Sequence, residues 1–254
     1  MKTSKSQHDW CLWFAWVEDK PAHVWVDCAA NTIAGKIMPF LVTVFLENLG
    51  TERHNSYPTE EIYYSVLYKI EAKISKIANN SYSRYIGRMV TNGKATFGIY
   101  TDNYEDIEKK LNKIIPEYVL YHARIYTRQD KNWKIYRNIF PPKKEKQKYD
   151  NSTLIKAVLH SGSNPQKEHH IDHALFFDKK ADRDNYLKEL KKLKFLFEKY
   201  EIFDDPGTEN PFTLELTIRS PLNNDLIDNV TNILIDLAEK YNAVYDGWGT
   251  EIVK

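Results

Sequence analysis

His169, His170 and His173 fall close together, and that density invites a metal or acid–base reading. On a strand, His169 and His173 share a face, but at strand rise they lie roughly 13 Å apart, too far for one ion, and His170 points to the other side. No HExxH helix pattern, zinc-ribbon spacing or DxDxDG loop occurs, so no metal is expected. Alternation places His173 with Ile171, Leu175 and Phe177. Two readings follow: a satisfied, partly buried imidazole, or a hydrogen-bonding group at a ligand or partner surface. Tyr245-Asp-Gly-Trp-Gly-Thr250 is the other distinctive string. Two glycines so close weaken a regular strand and imply a bulge, a bend or close backbone approach, and Trp248 between them is either a packing plug or an exposed anchor. His173, Tyr245, Asp246 and Trp248 are therefore the candidate partner-binding residues.

Catalysis finds little else. There is no GxSxG elbow, and neither Cys11 nor Cys28 stands in a recognised cysteine-nucleophile motif. Two thiols outside any CxxC pair read as reduced and structural, although a disulfide between them is conceivable if their strands pair. Phosphate-cradling loops of the Walker or dinucleotide type are absent. No catalytic residue and no cofactor is expected. The 36 basic and 35 acidic side chains nearly cancel, so the whole molecule has no field to concentrate it on nucleic acid or anionic lipid. Lys143, Lys144, Lys146 and Lys148, with Lys191, Lys192 and Lys194, form the basic candidate patch, but the glycine and aromatic pattern of RNA-recognition strands is missing, and direct nucleic-acid binding is not expected.

These residues need elements to position them. Residues 10–17 and 22–28 form a hairpin around Glu18-Asp-Lys-Pro21; the aromatic run before that acidic turn reads as a strand, not a signal peptide. No run reaches the ~18 apolar residues of a membrane span, and the expected location is the cytoplasm. Phe40 to Leu46 is a strand buried on both faces. Pro58 opens a helix with the stripe Ile62, Val66, Ile70, Ile74 and Ile77. Asn92-Gly93 turns two strands, 84–91 and 94–100. A helix with Tyr104, Ile107, Leu111 and Ile114 ends at Pro116, and a strand spans 118–127.

Residues 141–150 join two prolines to a charge run without apolar periodicity and read as a linker between domains 1–140 and 151–254. Beyond it come a short helix from Leu154 to His160 and a strand from His169 to Phe177. A helix capped by Asp178 buries Tyr186, Leu190 and Leu193, and strands cover 195–203 and 212–219. Ser220 then caps a helix with Pro221 at its first position and the stripe Leu222, Leu226, Val230, Ile233, Leu237 and Tyr241; a last strand runs from 243 to 253. The order βαββαβ occurs twice. The fold class is α+β, two ferredoxin-like sandwiches with antiparallel sheets, the first with an added N-terminal β-hairpin.

Leu159, Gly162-Ser-Asn-Pro165, Ile171-Asp-His-Ala-Leu175, Ala238-Glu-Lys-Tyr241 and the Tyr245–Thr250 string occur in the order found in the regulator of ribonuclease activity B family, which residues 151–254 resemble. The tryptophan-rich hairpin, Tyr85-Ile-Gly-Arg88, Phe97-Gly-Ile-Tyr100 and Trp133-Lys-Ile-Tyr136 make residues 9–140 similar to domain of unknown function 695. The first resemblance implies a ferredoxin-like fold and a role in restraining an RNA-decay endoribonuclease by binding it. The chain departs from the best-known members in ending just past the tryptophan motif, without their acidic tail, and in its extra N-terminal domain. The expectation is a non-catalytic adaptor that binds a partner protein. A small-molecule sensor, using the aromatic N-terminal domain or the inter-domain cleft, is the alternative.

Overall fold

The computed structural model describes residues 8–50, 58–193, 197–205, 207–208 and 211–254. It is α+β, with a six-stranded and a four-stranded sheet, both antiparallel. Two compact units divide the chain, Met1–Pro141 and Pro142–Lys254.

In the first unit β1 (Trp10–Val17) and β2 (Lys20–Asp27) form the expected hairpin, followed by β3 (Phe40–Leu46). Thr59 caps the single turn α1 (Glu60–Ile62) by accepting from Ile62 N–H; a π-helical stretch, Tyr63–Leu67, leads into α2 (Tyr68–Ala78). β4 (Ser83–Thr91) and β5 (Lys94–Thr101) turn at Asn92 (φ 47) and Gly93 (φ 70), the left-handed pair that suits a two-residue hairpin loop. α3 (Tyr104–Leu111), β6 (Arg124–Gln129) and α4 (Lys134–Ile139) complete the unit. The strand expected over 118–127 is corrected. Residues Ile115–Tyr121 form a 3₁₀ turn that buries Tyr118, and left-handed His122 must redirect the chain before β6 begins. The sheet order is β1-β2-β4-β5-β3-β6. Val42, Val44, Phe97 and Ile99 from the sheet meet Ile70, Ile74, Ile107 and Leu111 from the helices in one core.

Polar groups pin this unit at two buried points. Asp27 ends β2 fully buried; Arg84 Nε donates to it at 2.7 Å, His8 Nδ1 lies at 2.7 Å, and the N–H groups of Asp9 and Ala29 donate at 3.0 and 3.2 Å. Trp133 is buried in the left-handed conformation (φ 52), stacks on Tyr100 at 3.9 Å and donates Nε1–H to the carbonyls of Ile37 and Met38. Asp130 accepts from Tyr100 and from the N–H groups of Lys134 and Ile135, which fixes the start of α4. Cys11 and Cys28 are both buried, Cys28 lying in a 3₁₀ turn and not on β2.

The second unit opens with α5 (Lys143–His160), so the residues expected as a linker are helical from Lys143 onward. Lysine, glutamate and glutamine are good helix formers, and this stretch is laced by ion pairs: Lys148–Glu145, Lys146–Asp150, Lys144–Asp236 and Lys143–Glu239. After it come β7 (Glu168–Phe177), α6 (Lys180–Lys192), β8 (Lys199–Asp204), β9 (Phe212–Pro221), α7 (Asn224–Lys240) and β10 (Ala243–Thr250), in sheet order β10-β7-β9-β8. Lys194 and the expected strand start at Phe195 lie outside the described residues.

Further expectations for this unit are corrected. Asp178 does not cap α6, which starts at Lys180 without a side-chain cap, and Leu193 is exposed. β9 runs on through Pro221, so the cap of α7 falls to Asn223, whose side chain accepts from Leu226 N–H. The buried residues of α7 are then Ile227, Thr231, Leu234, Ile235, Leu237 and Ala238, while Leu226 and Ile233 face solvent. The expected stripe ran along one margin of this face. α7 packs against both the sheet and α5, and two neighbours need a wider apolar arc than one.

Candidate functional site

Alternation along β7 sends His169, Ile171, His173, Leu175 and Phe177 inward. In the ladder with β10, Trp248 lies opposite His173 and Tyr245 opposite Leu175, but Gly247 lies opposite Ala174, so Asp246 is an extra residue in a bulge. Residues three apart normally point to opposite faces of a strand. The bulge returns both Tyr245 and Trp248 to the helix-packed face, and Gly247 takes the φ of 109° that this requires. Gly249 has open space around it, and nothing here demands a glycine.

The two aromatics then do separate work. Tyr245 OH and His173 Nδ1 are 2.9 Å apart, and His173 is 2% exposed. Burial lowers the imidazole to a pKa of about 4, against a smaller opposing effect of Asp172, and burial raises the Tyr245 phenol. Both groups are neutral at neutral pH, so the pair is a sealed polar contact between adjacent strands. Trp248 is half-buried beside Ile155, Ile171, Leu222 and Ile227, and its Nε1–H donates to Asn151 Oδ1 at 2.7 Å. Asn151 is fully buried on α5; it also accepts from Gln147 at 2.9 Å and donates to Asp228 at 2.7 Å and Thr231 at 3.0 Å. One amide thus joins α5, α7 and β10. Sequence reasoning missed it because Asn151 follows the charge run, where it looks like a loop residue.

Of the four candidate residues, His173 and Tyr245 are brought together, Trp248 joins a neighbouring network, and Asp246 stands exposed on the bulge. His173 is too buried to touch a partner directly. A serine–histidine pair also appears: Ser163 Oγ lies 2.8 Å from His169 Nε2, whose Nδ1 lies 2.8 Å from the Lys167 carbonyl. Those distances suit activation of a nucleophile, but both residues are buried and Ser163 Oγ accepts from Val253 N–H at 2.9 Å. With Asn164 N–H donating to Val253 C=O at 2.7 Å, the arrangement clasps the segment after β10. Among the described residues no group of three or more histidine, cysteine or acidic side chains could hold a metal, and no helix is long and apolar enough to cross a membrane.

Neutral His173 gives a directional pH prediction. The folded imidazole holds its proton only below about 4 and the ordinary value is 6.5. Between these the unfolded chain binds the extra proton, so stability conferred above pH 6.5 is lost as pH falls, by roughly 3 kcal/mol in all. Urea denaturation of wild type and His173→Gln from neutral pH down to about 4 should show the difference between them shrinking as acid is added. Parallel profiles would refute a buried neutral imidazole.

Residues 148–250 match the family described as "Regulator of ribonuclease activity B". The protein of that name from Photobacterium profundum is 34% identical over 109 residues, which are 42% of this chain and 81% of the relative. The chain belongs to the regulator of ribonuclease activity B family. Regulators of ribonuclease activity B from Salmonella typhi and Escherichia coli (strain K12) are each 30% identical, over 106 and 110 residues, covering 42% and 43% of this chain and 77% and 80% of theirs. Residues 8–140 match a family of unknown function (DUF695), to which the chain also belongs through its N-terminal unit. The regulator-family match therefore begins within α5 and ends with β10, taking in the Asn151–Trp248 link and the His173–Tyr245 pair.

Proposed function

We propose that this protein is a non-catalytic cytoplasmic regulator whose C-terminal unit binds a ribonuclease and restrains it. The observation that carries this reading is membership of residues 148–250 in a family whose members are named for regulating ribonuclease activity. Both units read as ferredoxin-like sandwiches. In support, β7, β8, β9 and β10 lie in the order fourth-first-third-second, and β3, β4, β5 and β6 follow the same order with the hairpin β1–β2 added beside β4.

The proposed contact surface is β10 around Asp246 with the exposed part of Trp248, positioned from behind by Tyr245 and His173. Beside it, the sheet face turned from the helices carries Glu168, Asp172, Glu201 and Glu215 against Lys199 and Arg219. An excess of carboxylates favours a basic partner surface and would speed its encounter. The test is to add the full chain to an RNA-decay endoribonuclease and measure both complex formation and RNA cleavage. Expected is saturable inhibition with a stable complex, weakened roughly tenfold by the exposed substitution Asp246→Lys. Unchanged cleavage at saturating protein with no complex would sink the proposal, as would inhibition that arises from the chain binding the RNA itself.

A further inference from the structure

The two sheets present four edge strands, β1, β6, β8 and β10, and three of them carry devices against edge-to-edge pairing. β6 has Arg124 and Arg128, β8 has Lys199, Glu201 and Asp204, and β10 has a bulge, two glycines and Asp246. β1, Trp-Cys-Leu-Trp-Phe-Ala-Trp-Val, carries no charge, proline, glycine or bulge. Its even-numbered side chains emerge on one face, with Leu12, Phe14 and Trp16 exposed by 37%, 63% and 76%. Its other face is tied into the unit, Trp13 Nε1–H donating to the Ile139 carbonyl at 3.1 Å. We propose that β1 pairs with β1 of a second copy of this chain, antiparallel, so that the two six-stranded sheets become one.

Opposed residues of an antiparallel pair share a face, so exposed even-numbered residues must meet even-numbered ones. A register with its two-fold axis at Trp13 keeps Trp10 to Trp16 in the ladder and sets Leu12 against the second copy's Phe14 and Trp10 against its Trp16. Aromatic and aliphatic groups pair on one side.

The mass of the full chain in solution, followed over about two decades of concentration, tests this. A dimer is expected, and Phe14→Lys should weaken it roughly tenfold or more, because two-fold symmetry breaks the Leu12–Phe14 pair twice. Phe14 is exposed, so an unchanged melting transition certifies the fold; Trp16→Lys is the second such variant. For the register, a mixture of Leu12→Cys and Phe14→Cys chains should form an intermolecular disulfide several-fold faster than either alone, as direct opposition suits the bond and the diagonal does not. Cys11 and Cys28 are buried and do not compete. A monomer throughout, a dimer indifferent to both lysine variants, or faster self-linking of the Phe14→Cys chain overturns the proposal.

Discussion

Asp27→Ala is expected to destabilise the N-terminal unit by about 3–5 kcal/mol, the range for removing one partner of a buried ion pair. The carboxylate is wholly buried, and it takes two contacts from Arg84, Nε at 2.7 Å and Nη2 at 2.5 Å, besides two backbone N–H groups. Its loss takes both of these contacts from a guanidinium that is itself buried and removes the acceptor of both backbone donors where β2 meets the following turn. Chemical denaturation monitored by tryptophan fluorescence measures the effect. Asp27→Ala combined with Arg84→Met should recover much of it, because an apolar pair of similar volume often substitutes for a buried ion pair at little net cost. A single-variant loss below about 1 kcal/mol would mean that the pair behaves as a surface contact.

Gly87→Ala should cost about 3 kcal/mol or more. Gly87 sits at the β4 bulge with φ of 128°, and an added Cβ would fall 2.0 Å from the Trp25 carbonyl oxygen. That neighbour is backbone of β2, hydrogen-bonded into the sheet, so strand and strand must separate to admit one methyl group. The expected signature is destabilisation together with faster amide exchange in β2. The same substitution at Gly162 is a useful control. That residue also has positive φ, but no atom lies within 4 Å of the added carbon, so only conformational strain is incurred.

What could be read from the sequence was mostly what is local. Asn92-Gly93 specifies its turn through two residues, and the apolar spacing of Val66, Ile70 and Ile74 specifies a helix face whatever lies opposite. The glycines of Asp-Gly-Trp-Gly pointed to a bulge, a bend or a close backbone approach, and the structure has a bulge; its purpose, setting Tyr245 and Trp248 on one face, needed the partner strand β7. Distance along the chain hid the rest. Asp27 and Arg84 are 57 residues apart, and Asn151 and Trp248 are 97 apart; none of these residue types is unusual where it stands. The face of α7 was misjudged for a related reason: periodicity gives the direction of an apolar stripe, but its width depends on how many elements pack there.

The continuity of α5 decides where the C-terminal half can be separated as a self-sufficient fragment. By charge and proline content a cut near residue 150 looks harmless. It would remove the first two turns of an 18-residue helix, the ion pairs of Lys143, Lys144, Lys146 and Lys148, and the bond from Gln147 to Asn151. Asn151 would then stand within the frayed end of the shortened helix, where the amide that holds Trp248 loses its fixed orientation. The joint between the two halves is two prolines wide, Pro141 and Pro142, and a fragment that starts at Lys143 keeps everything that Trp248 leans on.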